Sequence, residues 1–189
     1  MSKLSPVTAE TASPDQARIA DVLYGARGSA GYSGPYSYFL NDVKLAELAN
    51  PLGDYLRLGA GALDRRYASL AIAMTVRHWN ASYAWSVHSA NAVKFGLGQP
   101  FVDGVRERKR PASFADPKDE IAYDYVSHLL AAKPVPADLE ARAVDALGKL
   151  GVIDLVAVVG FYSMIGLGCL AFDPQLPAGV ARLPGDNRG

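Results

Sequence analysis

HWNASYAWSVHSANAVKFG, running from His78 to Gly96, is the stretch whose reading decides the fold. Asn80 breaks one helical pattern and caps another, from Ala81 to Phe95, which Gly96 closes. Counting back from His88 in helical steps gives Ala84 and Ala81, so all three share a face. At that spacing cysteines or a carboxylate would work with a histidine, yet here the neighbours are alanine. Trp85 and Asn91 lie one turn to either side of His88 and offer an aromatic wall and a hydrogen-bonding amide. An imidazole titrates near neutrality, which makes His88 the best candidate for proton transfer. A structural role is the competing reading. Tyr83 and Ser86 lie elsewhere on the helix surface.

Working outward, helical periods dominate and strand-like alternation is scarce. Asp64 caps RRYASLAIAMTVRHW, whose Leu70 and Met74 belong to a core face, and His78 closes it, where a positive ring would suit the helix dipole. Ser13, Pro14 and Gln16 open the first helix with a capping box, and that helix ends at Gly25. GARGSAGYSGP (Gly25 to Pro35) reads as a flexible connection, since it lacks the lysine of a phosphate-binding loop. Asp42 caps VKLAELAN, and Pro51 restarts or kinks that helix. Asp116-Pro117 starts DEIAYDYVSHLLAAK, where His128 reads as core-edge packing, and Pro136 starts ADLEARAVDALGKLG before an apolar terminal helix. The expectation is an all-α fold of about seven or eight helices. One domain spans residues 13–177, between flexible tails at 1–12 and 178–189.

Composition narrows the function classes. Lys plus Arg and Asp plus Glu both number 19 in 189 residues, so nothing points to nucleic acid or an anionic membrane surface. The one basic run, RERKR (Arg106 to Arg110), reads as a solvated helix end or, more sharply, as a docking point for a substrate carboxylate. Cys169 is the single cysteine, set in GLGCLAF, which excludes an internal disulfide or a CxxC pair and suits a buried thiol. No histidine–carboxylate pair forms a metal-ligand set, so neither a metal nor another cofactor is expected. There is no GxSxG elbow. The N-terminus has no signal-peptide pattern, which makes the cytoplasm the default compartment. LVAVVGFYSMIGLGCLAF (Leu155 to Phe172) is close to membrane-spanning length, but Asp154, Ser163 and three glycines favour a helix buried all round, in the core or at a subunit contact.

RRYASLAIAMTVRHWNASYAWSVHSANAVKFGL resembles the core helical hairpin of the carboxymuconolactone decarboxylase family, related to the alkylhydroperoxidase D-like proteins. GPYSYFLNDVKLAELANPLGDYLRLG, RKRPASFADPKDEIAYDYVSHLL and LGVIDLVAVVGFYSMIGLGCLAFDPQLP extend the likeness from Gly34 to Pro177. The resemblance implies an alkylhydroperoxidase D-like fold that assembles as trimers or hexamers, with active sites near subunit contacts. Tyr83, Trp85 and His88 match the decarboxylase branch, but Ala84 replaces its glutamate. Ala81 and Ala84 stand where the peroxidase branch has cysteines, and Ser69 where both branches carry a glutamate.

Without a thiolate at those positions a thiol-peroxidase mechanism lacks its nucleophile. The expected activity is a cofactor-independent lyase or isomerase acting on a small carbonyl acid or lactone. His88 moves the proton, Tyr83 and Ser69 are hydrogen-bond partners, and Trp85 and Asn91 line the pocket. Arg66 or Arg77 would hold a substrate carboxylate. The alternative is a non-catalytic binding or assembly relative; a peroxidase-like activity would be a family label only.

Overall fold

The computed structural model describes residues 4–27, 31–58 and 61–188. Among them run eight helices and no strand: α1 (Pro14–Arg27), α2 (Tyr36–Phe39), α3 (Val43–Leu58), α4 (Arg65–His78), α5 (Ser82–Lys94), α6 (Gln99–Arg106), α7 (Pro117–Leu130) and α8 (Ala137–Phe172). The fold is all-α, as the periodicity predicts.

The centre of the molecule is α4. Every residue from Ala68 to Arg77 is buried, and α5, α7 and α8 pack around it. Ala68, Ala71 and Ala73 keep its girth small, so neighbouring helices approach closely and Leu70, Ile72 and Val76 fill the gaps between them. α8 contributes Leu155, Val158, Tyr162, Ile165 and Cys169 to the same core. A smaller cluster of Val7, Ile19, Ala20, Leu40 and Ala46 joins α1 to α3.

The start signals hold. Gln16 N–H donates to Ser13 Oγ at 3.3 Å, and Gln16 Oε1 accepts from Ser13 N–H at 2.9 Å. Asp42, Asp64 and Asp116 each accept a backbone N–H of the turn that follows. Gly148 has φ +75 inside α8, so a break divides the segment begun by Pro136 from the apolar one.

Several expectations are corrected. α1 continues past Gly25 to Arg27, because one glycine costs a helix only about 1 kcal/mol. Residues 28–30 of the glycine-rich stretch lie outside the described residues. α3 runs through Pro51 rather than restarting there. Asn80 does not cap α5: it sits at φ +48, and its Oδ1 accepts from Arg77 and Arg108. The cation at the C-terminus of α4 is Arg108, whose Nη2 donates to the carbonyls of Arg77 (3.3 Å) and His78 (3.1 Å). Burial and the neighbouring Arg108 charge push the His78 imidazole below its ordinary pKa, so its ring favours the neutral form.

Nor are the terminal segments loose where they are described. Val7 is buried, and its N–H donates to Ser37 O at 2.8 Å. Near the C-terminus, Leu183 and Asp186 are buried, and Leu183 N–H donates to Ser82 Oγ at 2.9 Å. α8 is not buried all round. By length and composition it could cross a membrane, yet half of its most apolar window is covered by the protein. Leu150, Ile153, Val156, Leu167 and Leu170 face outward.

Candidate functional site

His88 lies one turn beyond Ala84 on α5, half-buried at the edge of the core. The α4–α5 turn sets its position. Asn80 supplies the left-handed residue that reverses the chain, a conformation asparagine tolerates better than most. Ala81, Ala84 and Trp85 then anchor the inner face of α5. His88 therefore emerges where α5 meets α8, with its ring edge-on to Tyr162 at a centroid distance of 5.0 Å.

The two residues border a cavity of about 100 Å³, whose polar lining is His88, Tyr36, Tyr83, Tyr162, Arg57 and Ser33. Pro35, Ala84, Val87 and Ile165 close it with apolar surface. Arg57 comes from the last turn of α3, and the contact to Asp54 Oδ1 is long, at 3.5 Å. Arg57 is the arginine of this lining, and it is paired with Asp54. Tyr83 and Ser33 also line an adjoining open groove of about 860 Å³, bordered by Thr8, Tyr38, Gln175 and Arg182. They form the wall shared by cavity and groove. Gly34, at φ +59, lets the chain pass directly against the Tyr83 ring, because a Cβ there would overlap it.

Of the residues expected at the site, the structure brings together His88 and Tyr83, with Ala84 beside them. Trp85 is buried in the core and does not line the cavity, nor does the half-buried Asn91. Ser69 is buried in α4 and also stands outside the lining. Both arginines are engaged elsewhere. Arg66 donates from Nε and Nη2 to Asp119 at 2.6 and 2.5 Å, tying the start of α4 to that of α7. Arg77 donates to Arg106 O, Pro184 O and Asn80 Oδ1 at the opposite end of α4.

Sequence reasoning missed Arg57, Tyr36 and Tyr162. A usable signal existed only for Arg57, a cation set among the leucines of YLRLG. Cys169 is 1 % exposed, and burial pushes its thiol up to about 11, far from a thiolate at neutral pH. Among the described residues no three His, Cys, Asp or Glu side chains gather as a metal site.

The class of architecture is thus an all-helical fold with a histidine- and tyrosine-lined cavity between α5 and α8. The helical fold, and not the lining of the cavity, is shared with a solved structure, a cysteine-to-alanine variant of the debrominase Bmp8 in complex with 2,3,4-tribromopyrrole. The two agree at a TM-score of 0.72 and 14% identity, over 94% of this chain and 93% of that one. At that identity the likeness concerns the fold. No family model and no curated protein sequence matches the chain.

Proposed function

We propose that this protein is a cofactor-independent enzyme that moves a proton on a small carbonyl acid or lactone, with His88 as the acid–base group. One observation carries the reading: His88, three tyrosines and Arg57 line one cavity. In the proposed reaction Arg57 holds the substrate carboxylate. The His88 imidazole accepts the proton from the carbon next to the carbonyl, and the electron pair of that C–H bond becomes the enolate. A tyrosine hydroxyl donates a hydrogen bond to the enolate oxygen. The imidazolium then returns the proton to the same or a neighbouring carbon, giving an exchanged or isomerised product. With a β-keto acid the enolate arises by C–C cleavage, carbon dioxide leaves, and the protonated ring delivers the proton.

The Bmp8 likeness adds that this fold can surround a small ring compound, since that structure contains one. A thiol route, whether to a halide or to a peroxide, has no support here, because the single cysteine is buried and held protonated. The test is incorporation of deuterium from D₂O into small oxo acids and butenolides, followed by NMR. The parent enzyme should exchange, His88→Ala should lose about 10²–10⁴ of the rate while folding normally, and Arg57→Met should raise KM more than it lowers kcat. Full exchange in His88→Ala overturns the assignment, whereas no exchange by the parent favours a binding protein that keeps the fold.

A further inference from the structure

On the far side of α4 a second cavity of about 350 Å³ opens between α4, the end of α6 and α7. Its walls are of two kinds. Met74, Val105, Leu130 and the Tyr123 ring are apolar or aromatic, and Arg77, His78, Arg108 and Lys109 are basic. Two of these belong to the RERKR run, which the His88 chemistry does not use.

The charge balance here is unusual for a protein of zero net charge. Arg77 is only 4 % exposed, and its bonds go to two backbone carbonyls and an amide oxygen. Arg108 likewise bonds carbonyls and the Asn80 amide oxygen. Among the described residues, no carboxylate lies within ion-pair distance of Arg77, Arg108 or Lys109. Nearby acids are committed elsewhere: Asp124 and Glu120 to Arg110, and Glu107 to Arg106. A buried cation is ordinarily matched by an anion, since its desolvation is otherwise uncompensated. Arg108 also holds φ +56, a conformation costly for a residue with a Cβ, and from it the guanidinium reaches the cavity rim.

We propose that this cavity binds a small organic carboxylate with a flat or compact apolar body. The carboxylate would meet Arg77, Arg108 and Lys109, and the body would rest on Met74, Val105, Leu130 and Tyr123. Its volume lies within the range usual for small-ligand sites, and mixed walls of this kind favour an amphipathic anion over inorganic phosphate. His78 reports occupancy. Burial and Arg108 depress its pKa, and the charged groups facing it are Arg77, Arg108 and Lys109, so a bound anion must raise it.

The experiment is NMR titration of the His78 imidazole in the full-length protein, with benzoate, benzyl alcohol and inorganic phosphate as separate probes. Benzoate should give a saturable shift at a Kd of about 1 mM or tighter, with a raised His78 pKa. Benzyl alcohol and phosphate should each bind at least about tenfold more weakly. Lys109→Glu, an exposed change that leaves the core untouched, should weaken benzoate by about tenfold or more, and His88→Ala should not alter it. No saturation by about 20 mM benzoate, equal binding of phosphate, or indifference to Lys109→Glu overturns the proposal. Failure of the His88 chemistry leaves all these outcomes unaffected.

Discussion

Replacing Asp186 with asparagine should destabilise the protein in a manner that depends on pH. Asp186 is buried under the N-terminus of α5, where its carboxylate accepts from Arg188 Nε at 2.7 Å and Nη2 at 2.9 Å, from Arg182 Nη1 at 3.3 Å, and from the Ser82 hydroxyl. Burial alone would raise its pKa, but the bonds from Arg188 and Ser82 outweigh it and hold the carboxyl at about 2, against 3.8 unperturbed. A folded pKa below the unfolded one means stability that is present above the unfolded value and lost as pH falls through the folded one. A shift of this size is worth about 2 kcal/mol at neutral pH. Asp186→Asn should therefore lose about 2 kcal/mol at pH 7, or roughly 1 M in urea midpoint for a chain of this length. The difference from the parent should shrink by about half at pH 3 and to about a sixth near pH 2, where the parent carboxyl is itself half protonated. Urea unfolding followed by circular dichroism at pH 7, 4 and 3 measures it. A difference that is constant across this range, or that widens toward acid, refutes the electrostatic account of the C-terminal anchor.

Two further outcomes follow from the packing. Gly34→Ala should cost about 1–3 kcal/mol in thermal unfolding, since φ is positive and the added Cβ overlaps the Tyr83 ring; no loss would mean that Tyr83 does not form the cavity wall. The outward row Leu150, Ile153, Val156, Leu167 and Leu170 on α8 leads us to propose self-association, as a trimer or hexamer, through that face. Light scattering should show a multimer that Ile153→Glu with Leu167→Glu reduces to the 20.1 kDa chain, and a parent that is already monomeric sinks the proposal.

What could be read from the sequence was local. Helix starts at Ser13, Asp64 and Asp116 were legible because a capping side chain bonds within its own turn. His88 was legible as a titratable side chain on a helix, whereas Tyr83, five positions earlier and on another side of that helix, was legible only through the family resemblance. The arginine partners were not. Arg66 and Arg77 lie close to the histidine helix in sequence, yet α4 is central and they sit at its two ends, where they bond α7 and the C-terminal segment. The cavity cation comes from Arg57, more than thirty positions before His88, through packing that no periodicity encodes. The C-terminal stretch reads as a mobile tail by its proline and glycine content. It is fixed by the bonds of Leu183 and Asp186 with the Ser82 hydroxyl and of Arg188 with the Asn80 carbonyl, partners far away along the chain.

The position of Ala84 then acquires a physical meaning. A glutamate there would place a negative charge in the same small cavity as His88 and Arg57. It would compete with the substrate carboxylate for the guanidinium and take up room that a cavity of about 100 Å³ cannot spare. With alanine, the reaction proposed above would leave Arg57 to orient an anionic substrate and would draw the hydrogen bond to the carbonyl oxygen from a tyrosine of the lining instead of from a carboxylic acid. Neutral donors stabilise a developing enolate without first having to be protonated themselves. The loss of the acid is therefore compatible with retained proton transfer, provided that the substrate brings the negative charge and the protein supplies the positive one.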